Sequence, residues 1–158
     1  MLCTLHRAEN TDDPLRLGSI LEALKEIARE TPVILPLHPR TRARLSLLSL
    51  PTAPANCLLT LPPVGYFEMI WLLQNCRLVM TDSGGVQKEA YFFQKPCVTL
   101  RDQTEWVELI DAGVNTLAGA DSARILAAYA AMKTCSIPAP TLYGDGHSAD
   151  KIVKCLVG

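Results

Sequence analysis

Residues 78–93 read LVMTDSGGVQKEAYFF, in which an apolar run, a polar turn with two glycines and an amphipathic stretch follow one another directly. The apolar run predicts a strand over residues 78–81 that is buried on both faces, because polar side chains do not alternate with the apolar ones. After the turn, apolar residues recur at helical spacing and predict a helix over residues 86–93. A strand that leads through a short turn into a helix is the repeating unit of parallel α/β folds.

The same unit recurs on both sides of this stretch. Further strands are predicted over residues 1–5, 33–37, 57–61, 97–100 and 115–117, and further helices over residues 14–28, 41–48, 66–75, 105–112, 121–132 and 147–157. The helix at residues 66–75 carries Phe67, Ile70 and Trp71 on one side. Six apolar strands that alternate with helices predict a doubly wound, Rossmann-like parallel sheet, and ligands bind such sheets beyond the carboxyl ends of the strands.

The turn after residue 81 is the strongest candidate for binding chemistry. Gly84 and Gly85 let a phosphate approach the backbone, and the free N–H groups of a first helical turn attract anions. Ser83 adds a hydroxyl, and Glu89 follows on the same helix, where a carboxylate can accept from both ribose hydroxyls. These features fit a nucleoside diphosphate. The alternative is a structural helix cap beside an exposed Glu89.

A second polar group, HRAEN at residues 6–10, follows the first predicted strand. His6 can donate to a phosphate or transfer a proton, and Arg7 can pair with phosphate. The alternative is a structural ion pair between Arg7 and Glu9 beside a turn at Asn10.

Two further loops contribute candidates. Arg101 follows the fifth strand at the same edge of the sheet, and Thr104 is placed to cap the next helix. Trp106 is expected in the core. His38 lies at the end of the second strand, where a structural hydrogen bond and a ligand contact are both open.

Composition limits the classes of function. The chain has 158 residues, 49% of them hydrophobic, and 15 basic against 16 acidic side chains give a net charge of −1. This balance argues against a nucleic-acid partner, and the absence of a long apolar run argues against a membrane partner. Arg40, Arg42 and Arg44 are expected on a solvated helix face. The amino-terminal residues do not have the pattern of a secretory signal.

The cysteines predict neither a metal site nor a disulfide framework. No two of them form a CxxC pair, and the three histidines show no metal-ligand spacing with them. We expect buried thiols in a reducing compartment and therefore a cytoplasmic protein. The six cysteines are Cys3, Cys57, Cys76, Cys97, Cys135 and Cys155.

The motifs LHRAEN, LHP, TDSGGVQKEA, KPCVTLRDQTEW and YGDG, in this order, resemble the carboxyl-terminal half of the non-hydrolysing UDP-N-acetylglucosamine 2-epimerases. The resemblance implies one half of a glycosyltransferase-B fold, with residues 1–158 as the UDP-binding domain. It also implies elimination and re-addition of UDP without a metal or nicotinamide cofactor, a homodimer, and a role in polysaccharide biosynthesis.

The resemblance also implies roles for individual residues. Ser83, Gly84 and Gly85 would hold the diphosphate, and Glu89 the ribose hydroxyls. His6 would act at the diphosphate and the sugar as the catalytic residue of this half. Further UDP-sugar contacts are implied for Arg7, Arg101, Tyr66 and Met69, the last two beside uracil with the loop at residues 62–66, and His38 is a possible sugar or regulatory contact.

The sequence departs from the family pattern in two respects. Many members read TERPE where this chain has TEWVE, so that Trp106 replaces an arginine, as in a branch that acts on related acetamido sugars such as diacetamido glucuronic acid nucleotides. The amino-terminal half, which supplies the carboxylates for proton transfer at C2, is not in this sequence, and the isolated chain is expected to be inactive. Two alternatives are the donor-binding half of a glycosyltransferase and a non-catalytic nucleotide-sugar module.

Overall fold

The six strands form one parallel sheet, as the sequence predicts. The computed structural model describes residues 1–47, 57–139 and 141–157. The strands are β1 (Leu2–Thr4), β2 (Val33–Pro36), β3 (Leu58–Leu61), β4 (Val79–Thr81), β5 (Cys97–Thr99) and β6 (Asn115–Leu117). Their order is β3-β2-β1-β4-β5-β6, and every neighbouring pair is parallel. This is the doubly wound Rossmann-like order, in which the strand sequence reverses between β1 and β4.

Helices connect the strands. They are α1 (Ala8–Thr11), α2 (Pro14–Ile27), α3 (Pro39–Leu47), α4 (Tyr66–Asn75), α5 (Gly84–Phe92), α6 (Val107–Asp111), α7 (Ser122–Met132) and α8 (Ser148–Val157). The predicted helices are present with shifted ends, and position 48, the predicted end of one of them, lies outside the described residues. The four-residue α1 was not predicted. None of the described helices has the length and apolar content to cross a membrane.

Helices cover both faces of the sheet. Neighbouring residues of a strand point to opposite faces and therefore pack against different helices. Cys3 packs into a core with residues of α2 and α7, whereas Leu2 packs with residues of α4 and α5. Both α2 and α7 begin at an aspartate cap: Asp13 Oδ1 accepts from the Leu15 amide at 2.8 Å, and Asp121 Oδ1 from the Arg124 amide at 2.8 Å.

The start of α6 differs from the prediction. The helix begins at Val107 and not at residue 105, although Thr104 has the side chain of a capping residue. The Thr104 hydroxyl donates to Gln87 Oε1 at 2.7 Å and accepts from the Trp106 amide at 3.2 Å. It therefore ties the loop before α6 to α5 instead of capping a helix that begins at residue 105.

Two surface helices carry exposed apolar side chains. On α4, Leu72 and Leu73 are buried and Ile70 packs partly buried against the same core, whereas Phe67 and Trp71 of the predicted apolar stripe are exposed. On α8 no residue is buried. Of the basic cluster, Arg42 and Arg44 are exposed as expected, and the Arg40 side chain lies outside the described part of the chain.

The cysteines do not share one environment. Cys3 and Cys97 are buried, as expected, and burial raises the pKa of the Cys97 thiol to about 12. Cys57 and Cys155 are exposed: Cys57 directly precedes β3, and Cys155 lies on α8, which has no buried residue. The expectation of buried thiols is therefore wrong for these two.

We predict that a thiol reagent such as 5,5′-dithiobis(2-nitrobenzoic acid) modifies Cys57 and Cys155 rapidly in the native protein. Cys3 and Cys97 should react only after unfolding, because the thiolate is the nucleophile and neither thiol is accessible. Mass spectrometry of peptides that carry the thionitrobenzoate disulfide measures each site, with a double variant Cys57→Ser and Cys155→Ser as the control. Rapid native modification of Cys3 or Cys97 would contradict the described packing.

Candidate functional site

A buried carboxylate connects the two loops at the point where the strand order reverses. Asp82, which directly follows β4, is fully buried. Its carboxylate accepts from the backbone amides of His6 at 3.2 Å and Arg7 at 3.0 Å, and from Asn10 Nδ2 at 3.2 Å. The segment after β1 is thereby held against the carboxyl end of β4, which places its side chains at the ligand-binding edge of the sheet.

The same carboxylate lies beside the His6 ring. His6 Nδ1 is 3.4 Å from Asp82 Oδ1, and the His6 side chain is half-exposed. A carboxylate next to Nδ1 favours a proton on that nitrogen, and Nε2 then accepts in the neutral ring and donates in the protonated ring. The structure thus gives His6 a defined orientation and solvent access, both of which a proton-transfer or phosphate-binding role requires.

The polar residues after His6 are paired differently from the structural alternative considered for the sequence. Glu9 Oε1 lies 3.4 Å from Arg16 Nη2 and is not paired with Arg7. Asn10 is buried, donates to the Leu100 carbonyl at 2.8 Å and accepts from Arg16 Nε at 3.1 Å. These bonds leave the Arg7 guanidinium free to face the neighbouring loop after β5.

The turn after β4 offers two backbone donors. The Ser83 amide donates to Thr81 Oγ1 at 2.9 Å, and the Ser83 hydroxyl accepts from the Val86 amide at 3.4 Å as a helix cap. Within the described residues, the amides of Gly84 and Gly85 have no hydrogen-bond partner. The amides of this turn that remain available to an anion are therefore those of the two glycines, and the Ser83 hydroxyl lies beside them.

The two glycines differ in their surroundings. A Cβ on Gly84 would collide with the far end of the Glu105 side chain, so a larger residue here would require that carboxylate to move. A Cβ on Gly85 would meet only Ser83 Oγ, at 3.9 Å. The Cβ direction of Gly85 is therefore open.

Two arginines lie beside this turn and share one carboxylate. Arg101 is nearly buried, and its Nη1 donates to Glu105 Oε2 at 2.7 Å. Arg7 Nη2 lies 3.9 Å from Glu105 Oε1. Hydrogen bonds from its own backbone amide and from Arg101 hold the pKa of the Glu105 carboxyl below its usual range, despite some desolvation.

Trp106 is half-buried rather than a core residue. Its Nε1 donates to the Gly84 carbonyl at 2.8 Å, and its ring stacks edge-on against Tyr143. The Lys88 ammonium lies 3.8 Å from the centre of the Trp106 ring and 4.3 Å from that of Tyr143. Where the family pattern has an arginine, this chain thus has a tryptophan, and its hydrogen bond to the Gly84 carbonyl anchors the start of α5.

Glu89 lies five residues after Gly84 on α5, about 7.5 Å along the helix axis. Partial burial raises the pKa of its carboxyl. Among the described residues, its carboxylate has no hydrogen bond or ion pair, which leaves it available to a ligand. Of the structural alternative, the helix cap by Ser83 is present, whereas Glu89 is half-buried and not exposed.

An open pocket of about 160 Å³ lies at the carboxyl ends of β1, β2 and β3. Its lining includes His6, His38 and Met69, together with Pro63 and Val64 from the loop before α4. The structure thus brings Met69 and this loop next to His6, and the uracil contact that the resemblance implies for them stays a prediction. Tyr66 is exposed, its ring contacts that of Phe67 edge-on, and it does not line the pocket.

Comparison with known proteins identifies the family. The family described as UDP-N-acetylglucosamine 2-epimerase matches residues 1–157. The chain belongs to this family. A UDP-2,3-diacetamido-2,3-dideoxy-D-glucuronate 2-epimerase of Pseudomonas aeruginosa is 54% identical over 158 residues, which are 99% of this chain and 44% of the relative. A UDP-N-acetylglucosamine 2-epimerase of Methanocaldococcus jannaschii is 38% identical over 98% of this chain and 43% of the relative.

Solved epimerase structures have the same fold. The structure of the Methanocaldococcus jannaschii UDP-GlcNAc 2-epimerase superposes with a TM-score of 0.92 at 38% identity, over 99% of this chain and 45% of that one. Its complex with UDP-GlcNAc and UDP superposes with a TM-score of 0.89, over 99% and 44%. The chain therefore has the fold of one Rossmann-like half of these glycosyltransferase-B-type epimerases, and it spans less than half of the relatives' length.

Two residues of the site were not singled out in the sequence. Asp82 stands within TDSGGVQKEA and Glu105 within TEWVE, and neither is assigned a role from the sequence. For Asp82 a signal was available, since a carboxylate at the end of the strand next to β1 lies beside the segment after that strand. Glu105 offered no such signal, because its partners Arg7 and Arg101 come from two different loops.

We predict that Asp82→Asn lowers the free energy of unfolding by about 2 kcal/mol or more, because it replaces one buried acceptor by a donor that faces other donors. Urea denaturation measures the change. The matched control is Asp102→Asn, at an exposed aspartate, which should change the stability by less than about 0.5 kcal/mol. Equal stabilities of Asp82→Asn and the wild-type chain would show that Asp82 does not hold the two loops together.

Proposed function

We propose that this chain is the UDP-binding half of a UDP-acetamido-sugar 2-epimerase, which interconverts UDP-GlcNAc and UDP-ManNAc or a related pair by elimination and re-addition of UDP. The observation that carries the proposal is the convergence of unpaired amides at Gly84 and Gly85 with the guanidinium groups of Arg7 and Arg101. Membership of the epimerase family supports the same assignment.

The diphosphate would bind at the start of α5. Its oxygens need several donors and positive charge, which the two glycine amides, the helix dipole and the arginines supply. Gly85 has the open space that the approach of a phosphate to the backbone requires. Trp106 keeps the Gly84 carbonyl hydrogen-bonded and Lys88 close by, so the turn is fixed before a ligand arrives.

The nucleoside would extend from this point in two directions. The Glu89 carboxylate is the proposed acceptor for the ribose hydroxyls, since it is half-buried and unpaired. The pocket between Val64, Met69 and His6 would receive the base or part of the sugar, and His38 lines its far side. This arrangement leaves His6 at the junction of the diphosphate and the sugar.

In the proposed reaction this half stabilises the leaving group. When the C2 proton is removed and the anomeric C–O bond breaks, negative charge grows on the diphosphate, and preorganised donors lower the energy of that transition state. His6 would donate to the departing oxygen or hold it in place. The carboxylates that exchange the C2 proton are proposed to come from the amino-terminal part, since the relatives are more than twice as long as this chain.

The substrate branch is a second part of the proposal. The Pseudomonas aeruginosa relative acts on a 2,3-diacetamido glucuronate nucleotide by its name, and it shares 54% of its residues with this chain over the matched region. Incubation of the full-length parent protein with each UDP-sugar in heavy water distinguishes the branches by which substrate gains deuterium at C2. A glycosyltransferase would transfer the sugar to an acceptor and incorporate no C2 deuterium.

We predict that the chain binds UDP, and that Glu89→Gln weakens UDP about tenfold while leaving pyrophosphate within about twofold, since a charge-assisted hydrogen bond contributes about 1.5–3 kcal/mol. Titration calorimetry measures both ligands. Because the pKa of Glu89 is raised, the wild-type chain should lose this ribose contact on acidification at a higher pH than an ordinary glutamate would, and Glu89→Gln should lack that step.

Equal losses for UDP and pyrophosphate in Glu89→Gln would reassign this residue to the structure of α5. Absence of UDP binding at millimolar concentration in the wild-type chain would contradict the proposed function itself.

We predict that Gly85→Val lowers the affinity for both UDP and pyrophosphate by more than about 50-fold, while the chain stays folded. A Cβ at this position is in ordinary contact with Ser83 Oγ only, so the loss comes from blocking the approach of the phosphate to the backbone. The matched control is Gly18→Val on α2, where a Cβ also meets nothing. Unchanged UDP affinity in Gly85→Val would exclude this turn as the phosphate site.

A further inference from the structure

The position proposed for the diphosphate already holds a negative charge of the protein. The Glu105 carboxylate lies against Gly84 at the start of α5, and one oxygen is 2.7 Å from Arg101 Nη1 while the other is 3.9 Å from Arg7 Nη2. These are the groups that would bind the diphosphate. Arg101 also has a buried Nε without a hydrogen-bond partner among the described residues.

We propose that Glu105 is an internal counter-anion, which occupies the diphosphate position in the empty site and must leave when UDP binds. The proposal rests on the proposed function, because it concerns the same site. In the empty state, the carboxylate compensates the charge of Arg101, which would otherwise be buried without an anion. In the bound state, the diphosphate takes over both arginines.

The exposure of the partners determines which of them moves. The Arg101 side chain is 10% exposed and is confined by its surroundings, whereas that of Glu105 is 43% exposed and has a path into solvent. Two anions cannot share these donors without strong repulsion. The glutamate is therefore the group that rotates away, and Arg101 remains as a preformed phosphate contact.

The backbone around Glu105 is anchored on both sides. Thr104 Oγ1 donates to Gln87 Oε1 at 2.7 Å, and Trp106 Nε1 donates to the Gly84 carbonyl at 2.8 Å. Both anchors attach the loop to α5. Rotation of the Glu105 side chain is thus sufficient to open the site, and no rearrangement of the loop is needed.

Such a competitor lowers the affinity for the leaving group and speeds its release. Removal of the charge from Glu105 should therefore tighten the binding of phosphate-containing ligands. If Glu105 instead served only to position Arg101 for the ligand, its removal would weaken binding. The two roles predict opposite signs for the same substitution.

The test is titration calorimetry of the 158-residue chain with UDP, pyrophosphate and uridine. Glu105→Gln should bind UDP and pyrophosphate about three- to tenfold more tightly, the range expected for the loss of one charge-assisted competing contact. Uridine, which has no phosphate, should bind within about twofold of wild type. Glu105→Ala, which also removes the carboxylate, should shift the same ligands in the same direction.

The control for a general change in charge is Asp102→Asn, since Asp102 is three residues away and paired with Arg16 instead of Arg101. It should leave all three affinities within about twofold. If wild type binds UDP and both Glu105 variants, folded by thermal melting, bind it equally well or more weakly, the counter-anion role is wrong. If wild type binds neither UDP nor pyrophosphate, the proposed function fails and this role fails with it.

Discussion

The burial of the Asp82 carboxylate is the constraint on which the site depends. A buried charge is tolerated only when hydrogen bonds replace the lost water, and here two backbone amides and one side-chain amide do so. All three donors come from a segment more than 70 residues earlier in the chain. The segment after β1 therefore cannot move away from β4 without leaving Asp82 unpaired, and this fixes His6 and Arg7 next to the turn after β4.

The fold could be predicted because its signals are local. The strands are short apolar runs, and the starts of α2 and α7 are marked by Asp13 and Asp121, whose caps the structure contains. The predicted helix start was wrong where a side chain forms a hydrogen bond to a residue distant in sequence. Thr104 has the chemistry of a cap, but its hydroxyl bonds to Gln87, so α6 starts later. The short α1 has too few residues to show a period.

The site could be predicted at the level of loops but not of bonds. Parallel strands bring their carboxyl ends together, so the segments after β1, β4 and β5 had to meet. Which backbone amide of the turn remains available to a ligand depends on contacts between strands. The register places Thr4 opposite Thr81, and the Thr81 hydroxyl accepts a hydrogen bond from the Ser83 amide. The sequence therefore could not show that the unpaired amides are those of Gly84 and Gly85.

A chain with a net charge of −1 can still offer a strong anion site, because local arrangement and not total charge determines the potential there. Three carboxylates lie around the turn, each in a different state. Asp82 is satisfied by N–H donors, Glu105 is paired with arginine, and Glu89 is unpaired. Only Glu105 shares its donors with the proposed phosphate. Since backbone amides cannot be neutralised by a side-chain rotation, the two glycines supply the constant part of the attraction, and the Glu105–Arg101 pair supplies the part that the ligand has to displace.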